Sequence, residues 1–287
     1  MTNALTYKHN LAHVLKATDS VVDLGFDWRP DLWPWLALPP AHPVVVEKYQ
    51  YFATMTASWA MGTFSPETYT ALTMFEWHCG EAALGRNYPS RARCENWTET
   101  GAMGFKLSVS DDQGRNMFHS RGQGFAFRDR DFQQWREKSR RSALQARHVL
   151  EVDTIDPQLA GLGPDGCSFV TAVIDRVGKP AVHARVPSQG GFYPQHPFHT
   201  GSGDHVNAAQ LLDCALQAVH VFSGEAQPWS QPRLCIGGQA QFQRYVELDV
   251  PFEITLDEAL SDQAQLRFSQ AGRDNVILRL DLQPQAD

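Results

Sequence analysis

The 287 residues of this chain suffice for one large domain or for two of about 140 residues each. Apolar residues at 43% and charged residues at 20% are the mix of a folded globular protein, and eight Trp with 16 Phe imply sizeable cores. A net charge of −7 argues against a general nucleic-acid binder, because phosphate contact needs a basic surface.

The first ten residues, MTNALTYKHN, hold no apolar signal core, and no apolar run reaches the length of a membrane span. The expectation is a cytoplasmic protein that does not bind membranes. Cys79, Cys94, Cys167, Cys214 and Cys235 form no CxxC pair and no zinc-ligand spacing. They read as reduced thiols, mostly buried.

In chain order, Val21 to Leu24 and Val44 to Met55 read as strands. Between them WRPDLWPWLALPP is broken by its prolines. Its Trp28, Trp33 and Trp35 suit either a hydrophobic lid or plain packing. Pro66 and the apolar run Tyr69 to Leu84 read as a helix capped by Ser65 or Thr68. Strands are expected at Arg91 to Thr98, Gly104 to Ser110 and Asn116 to Phe127, the last two joined by a DDQGR hairpin turn. Residues 131–147 form a charged amphipathic helix connecting two halves. Its basic run, Arg136 to Arg147, is a solvated face or a dock for an acidic carrier protein.

The second half repeats this order. Strands are expected at Cys167 to Asp175 and Ala181 to Val186, then a Gly-, Pro- and His-rich loop over Pro187 to Gly203. A helix follows over Asp204 to Phe222, then strands at Gln239 to Glu247, Phe252 to Leu256, Gln265 to Gln270 and Val276 to Leu282. Strand runs with segregated helices define an α+β class. The expected domains are residues 1–148, with the Trp/Pro-rich insertion and the connector helix, and residues 149–287.

The helix DHVNAAQLLDCALQAVHVF is apolar almost all round, so it should be buried. Yet Gln210, Asp213, Gln217 and His220 fall within a sector of about 80° at helical spacing. A buried carboxylate is costly unless paired or neutralised, so the stripe lines a cavity or a polar interface. In a cavity, Asp213 is a candidate general acid whose burial raises its pKa. Asp204 can cap the helix, and Gly201 and Gly203 allow backbone to approach a ligand. The first-turn N–H groups, with Asn207 and Gln210 beside them, would face a thioester carbonyl oxygen as it gains charge.

His199, with Asp213 fourteen positions on and Gln217 four beyond, has the spacing of bacterial β-hydroxyacyl carrier-protein dehydratases. LLDCALQA, Leu211 to Ala218, resembles the DxxxQ segment of polyketide synthase dehydratase domains. DHVNAAQLLDCALQA also resembles the DHVPGMxLLEAxRQA segment of the A-factor biosynthesis hotdog family, where a phrase like RYVELDxP follows; this chain has Arg244-Tyr-Val-Glu-Leu-Asp-Val-Pro251. The match spans about residues 165–285; GRNMFHSRGQGFAF adds general hotdog features to the first half. Asn207-Ala208 stands where that family has Pro-Gly, and Asp213 where it has Glu.

The resemblance implies a double hotdog, two long central helices each wrapped by a curled antiparallel sheet. It implies an acyl thioester of acyl carrier protein or coenzyme A as substrate, in secondary metabolism. The reaction it implies is dehydration or an A-factor-type acyl condensation; a thioesterase and a degenerate acyl-binding protein are the alternatives. By the same resemblance His199 is the base, Asp213 the acid and Gln217 its orienting partner. His196 and His205 compete with His199. In paired hotdogs the His of one fold commonly faces the acid of the other. Aligning MFEWHCG with LLDCALQ makes Glu76 the counterpart of Asp213, pairs His199 with Glu76, and leaves Gly62 where a first-half His would stand. A homodimer of double hotdogs is compatible with this reading; a metal or other cofactor is not expected.

Gly122-Gln-Gly124 and Gly237-Gly238 are too short for phosphate loops. Ser58, Ser65 and Ser202 lack the GxSxG context of a nucleophile elbow.

Overall fold

Antiparallel pairing organises both halves of the chain. The structure, a computed structural model, describes residues 11–63, 69–99, 102–127, 131–145, 152–162, 166–176, 178–188, 205–224 and 233–284. Contacts divide these into two compact units, the first over the described residues up to 127 and the second from 131 onward.

The first unit contains β1 (Ala12–Ala17), β2 (Val21–Phe26), α1 (Pro43–Ala60), β3 (Tyr69–Cys79), β4 (Arg91–Glu99), β5 (Ala102–Ser110) and β6 (Asn116–Phe127). Its strands follow the order β1-β2-β4-β5-β6-β3, every pair antiparallel. The DDQGR turn joins β5 to β6 as expected. Asp111 Oδ1 accepts from Gln113 N at 3.0 Å and Arg115 N at 2.8 Å, and Gly114 takes the left-handed φ of 78°.

Two elements exchange identity relative to the sequence reading. Val44 to Met55, read as a strand, lies inside α1. Pro43 occupies the first turn, and the His42 Nδ1 accepts from Val44 N at 3.3 Å. Val44, Val45, Tyr49, Phe52 and Ala53 are buried as α1 packs on β1, β2, β4 and β5. Tertiary burial therefore overrides the strand preference of the valine run. Trp33 and Trp35 pack on the same helix, with ring centroids 4.9 Å from Phe52 and 5.7 Å from Tyr49 respectively. Trp28 is exposed and lies against Tyr88.

Conversely, Tyr69 to Leu84, read as a helix, is strand β3 followed by a 3-10 turn at Glu81–Leu84. Phe75, Trp77 and Cys79 are buried and alternate with Glu76 and His78, which is strand periodicity. Gly124 of β6 sits where an added Cβ would lie 2.3 Å from the Ala71 carbonyl oxygen of β3. Close backbone approach, rather than phosphate binding, accounts for that glycine.

The second unit contains α2 (Asp131–Gln145), β7 (Ile174–Arg176), β8 (Lys179–Ala184), α3 (Ala208–Ser223), β9 (Arg233–Phe242), β10 (Phe252–Ala259), β11 (Gln263–Gln270) and β12 (Arg273–Pro284). The strand order is β9-β12-β11-β10-β8-β7, again antiparallel throughout. Helix α2 groups with this unit, whereas the boundary read at residue 148 placed it in the first. The strand expected from Cys167 is confined to Ile174–Arg176, with one isolated bridge from Val170 to Ala184. The strand expected to reach Glu247 ends at Phe242, and residues 243–250 form a loop. Phe252, Ile254, Leu266, Phe268, Leu278 and Leu280 build the core of the sheet, and α3 packs on β8 and the turn Pro157–Ala160. No described helix is long and apolar enough to cross a membrane.

Candidate functional site

The site grows from α3. Alanine and leucine favour the helix, and a capping box starts it. Asn207 Oδ1 accepts from Gln210 N at 3.0 Å, while Gln210 Oε1 accepts from Asn207 N at 3.0 Å. The cap is therefore Asn207; Asp204, the cap expected from the sequence, lies outside the described residues. The same box engages the two side chains, Asn207 and Gln210, that the sequence suggested for substrate binding.

Two turns on, Asp213 is buried, 5% exposed, on a helix whose neighbours are Leu211, Leu212, Cys214 and Ala215. Burial pushes its carboxyl up to about 7, and the hydrogen bond from Gln217 opposes that shift. Gln217 Nε2 donates to Asp213 Oδ2 at 3.0 Å and to the Cys167 carbonyl at 3.2 Å. Gln217 Oε1 accepts from Phe169 N at 2.8 Å. Both N–H donors and the carbonyl of this amide are thus engaged, which fixes its orientation. One side chain ties the segment 167–169 to α3 and holds the acid.

A buried carboxyl poised near neutrality can give or take a proton at working pH. Cys167 lies close enough for the Asp213 charge to raise its thiol, after the larger effect of burial. It is exposed, whereas the other four cysteines are buried. His220, expected in the same stripe, is exposed, and its ring lies near Gly161.

The remaining candidates are distributed as follows. His205 is half-buried, its ring centroid 4.4 Å from that of Tyr245. His196, His199, Gly201, Gly203 and Asp204 lie outside the described residues. Glu76 stands on strand β3, not on a helix, and accepts from Arg121 Nε at 2.8 Å and Nη2 at 2.6 Å. The alignment that made it the counterpart of Asp213 rested on a helix that is not there.

The helices can be matched by their caps instead. Asp213 is six residues past Asn207, and Lys48 is six past His42; Gln217 is ten past its cap, and Phe52 is ten past His42. Gly62 lies beyond the end of α1 and so has no place in this match. Helix α1 therefore carries no acid–amide pair at those positions. Its buried Glu47 and Lys48 approach each other at 3.6 Å, and burial raises the Glu47 carboxyl.

Sequence reasoning missed a second buried polar group in this unit. Arg136, read within a solvated basic face, places Nη1 on Glu247 Oε1 and Nη2 on Oε2, the latter at 2.7 Å. Gln270 and Asn275, at the ends of the β11–β12 hairpin, bind the backbone of the loop carrying Glu247. The phrase RYVELDVP was the only sequence signal for it.

No protein-family model matches the chain, and no curated protein matches it. Solved structures do. A protein named as an oleoyl thioesterase from Lactobacillus plantarum aligns with a TM-score of 0.53 at 10% identity, covering 85% of this chain and 89% of its own. The dehydratase domain of RzxB from Pseudomonas fluorescens aligns with a TM-score of 0.50 at 13% identity, covering 96% and 99%. A fusion DH domain aligns with a TM-score of 0.50 at 13% identity, covering 98% and 94%. At such identities the likeness concerns architecture: this chain has the hotdog fold, and two antiparallel units in one chain are consistent with its double form.

Proposed function

We propose that the protein is an enzyme acting on an acyl thioester of acyl carrier protein or coenzyme A, by a dehydratase-like reaction. The observation that carries this reading is the buried Asp213 carboxyl, poised near neutral pH and held by Gln217. In the proposed reaction a base removes the α-proton of a 3-hydroxyacyl thioester. The Cβ–O bond breaks as Asp213 gives its proton to the departing hydroxyl, and the products are a 2-enoyl thioester and water. His199 is the proposed base, from its spacing to Asp213; His205 is the other group to test by substitution. Gly201, Gly203 and Asp204 are proposed to line the thioester end of the substrate.

Two of the similar structures are named as an oleoyl thioesterase and a dehydratase domain, and both named activities are compatible with this reading. A thioesterase is the second reading, because a carboxyl half ionised near pH 7 also serves as a base for water. The test incubates the full chain with 3-hydroxyacyl and saturated acyl thioesters of both carriers, followed by mass spectrometry and a thiol assay. Loss of water from the hydroxyacyl substrate, abolished in Asp213→Asn, is the expected result. Release of free thiol selects the thioesterase, and a new carbon–oxygen or carbon–carbon bond to a second substrate selects acyl condensation. Turnover of no thioester, with intact acyl ligand retained, would leave only a binding protein.

A further inference from the structure

The loop from Arg244 to Val250 bonds to both described flanks of positions 189–204. On one side Asp249 N donates to the Val186 carbonyl at 2.9 Å, and Ser188 N donates to Asp249 Oδ1 at 3.0 Å. On the other side Val206 N donates to the Val246 carbonyl at 2.8 Å, and Tyr245 lies against His205. Val206 immediately precedes the Asn207 cap of α3. Asp249 holds a left-handed φ of 62°, a conformation that Asp tolerates better than most residues.

This loop has no strand ladder of its own, so other groups must fix it. Gln270 Nε2 donates to the Glu247 carbonyl at 3.1 Å and the Val250 carbonyl at 3.0 Å, and its Oε1 accepts from Glu247 N at 2.7 Å. Asn275 Nδ2 donates to the Tyr245 carbonyl at 2.6 Å. At the centre stands the Arg136–Glu247 pair, with side chains 4% and 3% exposed, and the Arg136 guanidinium lies 4.6 Å over the Tyr245 ring. A buried ion pair adds little net stability, because desolvation offsets the attraction. Its bidentate geometry does fix one orientation of the groups it joins.

We infer that Arg136 and Glu247 are positioning residues: through the loop 244–250 they set where α3 begins and thus the placement of Asp213. This rests on the functional reading above. The predicted signature separates geometry from stability.

The test is the double variant Arg136→Met with Glu247→Leu, which removes both charges at similar volume. A denaturation midpoint at or above that of the unchanged protein is expected. With it should come a fall in kcat of about tenfold or more and little change in KM, as for a reacting group moved out of line. The rate of Cys167 alkylation by iodoacetamide should change as well, since that thiol senses the Asp213 charge. An unchanged kcat together with an unchanged alkylation rate overturns the inference. Should the double variant not fold, Arg136→Lys, which keeps the charge but loses the two-pronged contact, is judged by the same readouts. If the unchanged protein turns over no thioester, the functional reading fails, and the alkylation rate alone decides the positioning role.

Discussion

Replacing Asp213 by Asn tests the central residue through stability as well as activity. In the unfolded chain this carboxyl titrates near its ordinary value of 3.8, whereas in the fold burial holds it up to about 7. The folded state therefore keeps a proton that the unfolded state has already lost. Stability is unaffected below pH 3.8 and falls as pH rises towards 7, levelling off above it. From pH 5 to pH 8, across the folded pKa, the loss is about two pH units at roughly 1.4 kcal/mol each, so about 3 kcal/mol. The amide introduced by Asp213→Asn cannot ionise, and its carbonyl can still accept from Gln217. The variant should therefore gain about 3 kcal/mol on the unchanged protein between pH 5 and pH 8, read as urea midpoints at each pH. Thioester turnover should fall by about 10² to 10⁴-fold at the same time. Parallel stability curves for the two proteins would refute a buried, protonated Asp213. Full activity in the variant would remove it as the acid.

Gln217→Ala leaves the Phe169 N–H unpaired in a buried setting and should cost about 1–3 kcal/mol in chemical denaturation. Because Gln217 lowers the Asp213 pKa, its loss should move the high-pH limb of the pH–rate profile further up; a downward shift contradicts the assigned hydrogen bond. Cys167 should be the first thiol alkylated, and faster at pH 8 in Asp213→Asn, since the Asp213 charge raises the thiol; peptide mapping by mass spectrometry checks both points. Gly124→Ala should destabilise the first unit by about 2 kcal/mol or more, because the Ala71 carbonyl leaves no room for a methyl group; an unchanged melting temperature would show that β3 can move away.

What could be read from the sequence was what short-range chemistry fixes. The polar stripe on α3 is a matter of helical spacing, and the structure keeps Gln210, Asp213 and Gln217 buried along it. The DDQGR turn closes through an Asp111 carboxylate two and four residues from its donors. The Asp213–Gln217 contact spans one helical turn, so its geometry follows from the spacing alone. By contrast, VVVEKYQYFATM carries residues that favour strands, and it became α1 because the first-unit sheet buries it from Val44 to Ala57. The strand YTALTMFEWHC pairs with β6, about 50 residues away, and such a partner is invisible to local pattern. Gln217 reaches back to Cys167 and Phe169, and Arg136 reaches Glu247 across 111 positions. Helical spacing thus determined that an acid and an amide share a face of α3. Only the tertiary structure decided that the acid is dry enough to hold its proton, because dryness depends on every distant residue that excludes water.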